Sequence, residues 1–216
     1  MTGSKGGAAS LSNNNNFFIS IESVMSGLYT INFGSLLYVV STENNVLLVR
    51  TTFLNLYAVQ DASLLYIELN HIVEIDGVNV FNLYSNMYGG FIQTLSFNVF
   101  TINNSTILMT QSMSNGGLID MLQNNMLVVN NSTFNSCSSS RGQAGVIYTF
   151  FNNTLSFQNV TLTGDYSAQE GGCFFLDNYN FFTISSSIIQ NISAGSDGGF
   201  LLLKQNNIVT IVPLSD

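Results

Sequence analysis

The chain has 216 residues, of which 46% are hydrophobic and only 7% charged, with twelve acids against four bases and a net charge of −8. The apolar share supports one sizeable core, and 17 Phe with 9 Tyr exclude an intrinsically disordered chain. Lys5, Arg50, Arg141 and Lys204 are scattered and make no phosphate-binding stripe, which argues against nucleic acid as a partner. Polarity comes instead from uncharged side chains, with 29 Asn among them. No run of apolar residues is long enough for a membrane helix.

A short phrase returns along the chain as GGFIQTLS from Gly89, GGLIDMLQ from Gly116, GGCFFLDN from Gly171 and GGFLLLKQ from Gly198. Counted from the second glycine or its equivalent, the anchors are Gly7, Ser35, Ser63, Gly90, Gly117, Gly145, Gly172 and Gly199, at gaps of 27 or 28 residues. A first strand follows each anchor. Its inward positions are Ala9, Leu37, Leu65, Ile92, Ile119, Ile147, Phe174 and Leu201, with a second inward residue two places on. Just before the first of these stands a column directed outward by the period-2 pattern, yet apolar: Leu36, Leu64, Phe91, Leu118, Val146, Cys173 and Phe200. A second strand begins with Phe17, Val46, Val73, Phe100, Leu127, Leu155, Phe182 and Val209. The Ser35 unit fits with one extra residue near Glu43. A third strand centres on Val24, Phe53, Val80, Ile107, Phe134, Leu162 and Ile189.

Three strands in a unit of about 27 residues predict an all-β fold, a right-handed parallel β-helix solenoid of seven to eight rungs. Just before the second strand stands a polar column of Asn15, Asn44, His71, Asn98, Asn125, Asn153, Asn180 and Asn207. Stacked amides can bond from rung to rung, so this column is expected to form a structural ladder, with His71 in the place of an amide. Residues 1–216 are read as a single β-helix domain. The start MTGSKGGAAS has no apolar core of a secretion signal, and the core columns run to both ends. The chain is therefore expected to be a segment of a longer repeat protein.

The phrases GGLI from Gly116, FNSC from Phe134, NNTLSFQNVTLTG from Asn152 and TISSSIIQNISAGSDGG from Thr183 resemble a known family. They are similar to the pectin-lyase-like right-handed parallel β-helix repeats of large surface proteins, among them chlamydial polymorphic outer-membrane proteins and Asn/Ser-rich ciliate surface proteins. The resemblance spans Gly6 to Ile211. It implies a displayed, adhesin-like rod at the cell surface or outside the cell. The partners would be neighbouring rungs of the same parent or other copies, and glycans or surface proteins.

Individual residues add little chemistry to this reading. Glu170 and Asp197 share a corner register on neighbouring rungs, which makes them the candidate for a weak cation or sugar site; no base stands beside them. Asp177 and Lys204 share another register and are expected to pair outwardly. Cys137 and Cys173 are not register neighbours and are expected as free, buried thiols. Seven sequons occur, and Asn159 and Asn191 are the accessible candidates for glycosylation. No catalytic or metal-binding residue and no cofactor is assigned. The expected role is structural or adhesive. The alternatives are a polysaccharide-binding or polysaccharide-cleaving protein and, after that, a subunit stacking end to end into filaments.

Overall fold

The computed structural model describes residues 2–5, 8–12, 16–40 and 42–213. Among these there is no helix, and the strands form three parallel sheets wound into a solenoid with a repeat of about 27 residues. The first sheet stacks Ala9–Leu11, Leu37–Val39, Leu65–Leu69, Ile92–Ser96, Ile119–Gln123, Ile147–Phe151, Phe174–Asn178 and Leu201–Gln205. The second stacks Phe17–Ile21, Asn45–Val49, Ile72–Asp76, Val99–Asn103, Met126–Asn130, Thr154–Gln158, Phe181–Ser185 and Ile208–Val212. The third is bent. A left-handed residue such as Asn55, Asn82, Met109 or Ser136 sits in its middle. In later rungs that bend divides the strand, as in Thr133–Asn135 and Ser138–Ser139. One continuous apolar core fills the space between the three sheets.

The doubled letters of the sequence mark the corners. In Gly116–Gly117 the first residue has φ +63°, and the second has no room for a side chain: a Cβ there would run into the Gly145 carbonyl oxygen of the next rung. Asn124–Asn125 works the same way. Asn124 takes φ 55° at the corner, and Asn125 then turns inward. The pairs Asn104–Ser105 and Asn131–Ser132 repeat the device between the second and third sheets. Here the inward hydroxyls form a ladder of their own. Ser105 N–H donates to Ser132 Oγ at 3.1 Å, and Val78 N–H donates to Ser105 Oγ at 3.1 Å.

The amide column is a continuous axial chain of hydrogen bonds. Backbone N–H groups donate from Asn16 to Asn44 Oδ1 (2.9 Å), from Asn44 to His71 Nδ1 (3.1 Å) and from His71 to Asn98 Oδ1 (2.9 Å). The chain runs on from Asn98 to Asn125, Asn125 to Asn153, Asn153 to Asn180 and Asn180 to Asn207, at 2.8–3.0 Å. His71 thus acts as an acceptor through Nδ1, the role an amide oxygen has elsewhere. Asn15 lies outside the described residues, and Asn16 is the residue that aligns with Asn44.

Two expectations of register are corrected. In the first rung the inward residues are Phe18, Ser20 and Met25, which pair with Val46, Leu48 and Phe53. Phe17, Ile19 and Val24, expected inside, are 68%, 57% and 72% exposed. Asn16 follows Gly7 by nine residues, just as Asn44 follows Ser35, so the extra corner residue belongs to both units. A shift of one residue exchanges the two faces of a strand. The second correction concerns the apolar column expected to point outward. Leu36, Leu64, Phe91, Leu118, Val146 and Cys173 are all fully buried. At each corner two successive N–H groups share one carbonyl; Leu118 and Ile119 both donate to Val146 O, at 3.0 and 2.9 Å. This bulge breaks the alternation, so neighbouring side chains both enter the core.

Candidate functional site

The outer face of the first sheet carries one side chain per rung in register: Ser10, Tyr38, Tyr66, Gln93, Asp120, Tyr148, Phe175 and Leu202. Beside it runs the corner column that precedes each glycine pair. Backbone bonds tie Asp61, Tyr88, Asn115, Gln143, Glu170 and Asp197 into this column in order. Between the two lies a groove of about 390 Å³, lined by Tyr88, Gln93, Asn115, Asp120, Tyr148 and Phe150.

Aromatic stacks bound the groove along the rod. On one side Phe33, Tyr38 and Tyr66 stack at 4.6–5.8 Å between ring centroids. On the other, Tyr148 and Phe175 stack at 5.3 Å. Gln93 and Asp120 interrupt the aromatic series, and both are almost wholly buried, at 5% and 2% exposure. Gln93 Nε2 donates to Asp120 Oδ2 at 3.1 Å. Asp120 Oδ1 and Gln93 Oε1 have no hydrogen-bond partner. Burial pushes the Asp120 carboxyl up to about 7, against the Gln93 hydrogen bond and with help from the charge of Asp61. Burial likewise raises Asp61 to about 6, opposed by its bond with the Tyr88 backbone. Desolvation lifts the Tyr66 and Tyr148 hydroxyls well above the ordinary phenol range.

Glu170 and Asp197 stand in the same corner column, beyond the groove. Glu170 is engaged on its own rung's neighbours: Gln143 Nε2 donates to its Oε2 at 2.9 Å, and Lys204 Nζ lies 3.5 Å from the same oxygen. Asp197 is exposed. The ion pair expected between Lys204 and Asp177 is therefore formed with Glu170 instead. Lys204 reaches it by crossing the Phe175 ring, 5.4 Å from the centroid, while its charge is also felt by Asp177. No group of His, Cys, Asp or Glu able to hold a metal occurs among the described residues. Asn159 and Asn191 are exposed corner residues with φ 54° and 56°. Asn159 Nδ2 donates to Asn131 Oδ1 at 2.9 Å.

A second polar group is sealed inside the core. Asp165 Oδ1 accepts from Cys137 N–H at 2.8 Å, and Cys173 Sγ lies 3.7 Å from Oδ2. Both thiols are free and buried. Desolvation raises Asp165 to about 7, and with the Asp165 charge it raises both thiols well above their usual range. Neither Asp165 nor the Gln93–Asp120 pair stood out as functional in the sequence. The available signal was a Gln and an Asp flanked in their column by the aromatic residues Tyr38, Tyr66, Tyr148 and Phe175.

These carboxyls set the sign of the pH dependence. Asp61, Asp120 and Asp165 have folded-state values of about 6 to 7. The fold therefore favours the neutral acid. The stability gained is complete below the unfolded value of about 4 and is lost as pH rises through the folded values. Thermal unfolding at about pH 5 is expected to exceed that at about pH 8 by several degrees, and Asp120→Asn to narrow the gap. Equal midpoints at the two pH values would contradict the burial of these groups as acids.

Comparison with protein-family models, with curated proteins and with solved structures found no match. The parallel β-solenoid is consistent with the general right-handed β-helix family and singles out no specific one.

Proposed function

We propose that the chain is a structural or adhesive β-helix module that works at the cell surface or outside the cell, without catalysis. The observation that carries this reading is the unbroken axial ladder from Asn16 to Asn207, which joins every rung into one stiff stack. The similarity of its phrases to pectin-lyase-like surface repeats supports the same role. Such a stack suits display, with neighbouring rungs of the same parent or other copies as partners at its ends. The groove gives the displayed face a place to contact a glycan or a surface protein.

A polysaccharide-active protein is the second reading, and one feature favours it: aromatic rings flank the Gln93–Asp120 pair. Hydrolysis of a glycosidic bond ordinarily uses two carboxyl groups placed across it. Asp120 faces an amide, and Glu170 is occupied by Lys204 and Gln143. Immobilised chain presented to glycan arrays and to cultured cell surfaces is expected to bind without consuming its ligand. Turnover of an acidic or neutral polymer that is lost in Asp120→Asn, Glu170→Gln or Asp197→Asn would replace the adhesive reading with the enzymatic one.

A further inference from the structure

The groove between the corner column and the outer face of the first sheet holds two acceptors that no donor meets. At its floor Asp120 Oδ1 and Gln93 Oε1 are buried and receive no hydrogen bond. An acceptor left this way loses the interactions it had in water, and a ligand that brings N–H donors restores them. The walls are the rings of Tyr88, Tyr148 and Phe150, whose π faces attract positive charge.

The same face already accommodates a cation nearby. Lys204 lays its ammonium over Phe175 and onto Glu170 of the corner column. Lys204 stands two places after Leu202 in its strand. Two places after Asp120 and Tyr148 stand Leu122 and Phe150, which carry no donor. The notch at Asp120 has the acid and the rings without the lysine.

We propose that this notch binds a compact organic cation, an alkylammonium or guanidinium group of the kind carried by lysine and arginine, with Asp120 and Gln93 accepting its N–H bonds and the Tyr148 ring covering it. A neutral sugar hydroxyl offers one donor and no charge, so it meets the two acceptors less well. The proposal deepens the adhesive reading, which gives a partner a place in this same groove; surface-binding experiments test that reading separately, so either can fail alone. Because a cation favours the carboxylate, binding releases the Asp120 proton. The titratable groups facing Asp120 are Asp61 in the corner column and the hydroxyls of Tyr66, Tyr88 and Tyr148. Burial keeps the Tyr66 and Tyr148 hydroxyls neutral across the working range, and Asp61 adds to the attraction once ionised.

The test uses the full chain, titrated by calorimetry and NMR with butylammonium and methylguanidinium chlorides and, as neutral probes, butanol and a methyl glucoside. Saturable binding of at least one cation in the millimolar range is expected, roughly tenfold tighter at about pH 8 than at about pH 6. Asp120→Asn should weaken it about tenfold or more at about pH 8 and leave only the smaller pH dependence that Asp61 contributes. Tyr148→Leu, which leaves the acid in place, should weaken it while keeping the full pH dependence. Blocked lysine and arginine amides distinguish the source. Tighter binding of these than of the free cations marks a protein side chain as the occupant, and the reverse marks a free amine. Binding of the glucoside or butanol as tight as that of the cations would overturn the proposal. So would the absence of cation binding at about 50 mM, or cation binding unchanged in folded Asp120→Asn.

Discussion

Phe174→Ala is expected to destabilise the solenoid by about 3–5 kcal/mol, the largest effect of any single truncation considered. The Phe174 side chain is fully buried in the first sheet. Its ring lies 5.4 Å from Phe157, 4.6 Å from Phe182 and 5.6 Å from Phe200, centroid to centroid. Three neighbouring rungs therefore meet at this one ring. Their backbones are held by interstrand bonds on both sides and cannot close over the space left behind. Each rung touches only the next, so the damage should stay local. Urea unfolding should show the lowered midpoint, and hydrogen exchange should rise first in the strands from Phe174 onward. A loss below about 1 kcal/mol would mean that the core collapses around the gap, contrary to its packing.

Asn125→Ala is expected to cost about 2–4 kcal/mol, although it removes only a few atoms. Asn125 Oδ1 accepts from Asn98 N–H at 3.0 Å, from Asn98 Nδ2 at 3.2 Å and from Thr94 Oγ1 at 3.2 Å. Its Nδ2 donates to Leu95 O and to Asn153 Oδ1. Alanine leaves the Asn98 N–H buried with nothing to meet it. The measurement that isolates the cause is exchange of the Asn98 amide, which should accelerate well beyond the amides of the adjoining strands. His71→Asn is the matched control. It restores the amide found in the rest of the ladder and should leave stability nearly unchanged. Equal losses in the two variants would assign the effect to packing rather than to the ladder.

What the sequence disclosed is the part of the fold written as repetition. The glycine anchors, the inward apolar positions from the Ser35 unit onward and the amide column all recur at fixed spacing, and each recurrence has a local cause. The first rung was less legible because residues 13–16 are four consecutive asparagines, which carry no register. The burial of Leu36 and its equivalents was hidden by the bulge, since alternation is the only signal a strand gives about its faces. The groove lay further out of reach. Asp120 becomes a floor because Tyr88 and Asn115 approach it from the corners of earlier units, and no spacing within one strand reveals that approach.

The direction of the hydrogen bonds has a mechanical consequence. Bonds between successive strands, and those of the amide chain, run along the rod. Tension applied along that axis therefore loads the rungs in series, and the weakest bears the same force as the strongest. Pulled from its two ends, the chain should yield by peeling turn after turn rather than rupturing at once. Each released turn of about 27 residues would add roughly 90 Å of extended chain. A tether of this design would lengthen in steps under load, dissipating work with every turn it gives up.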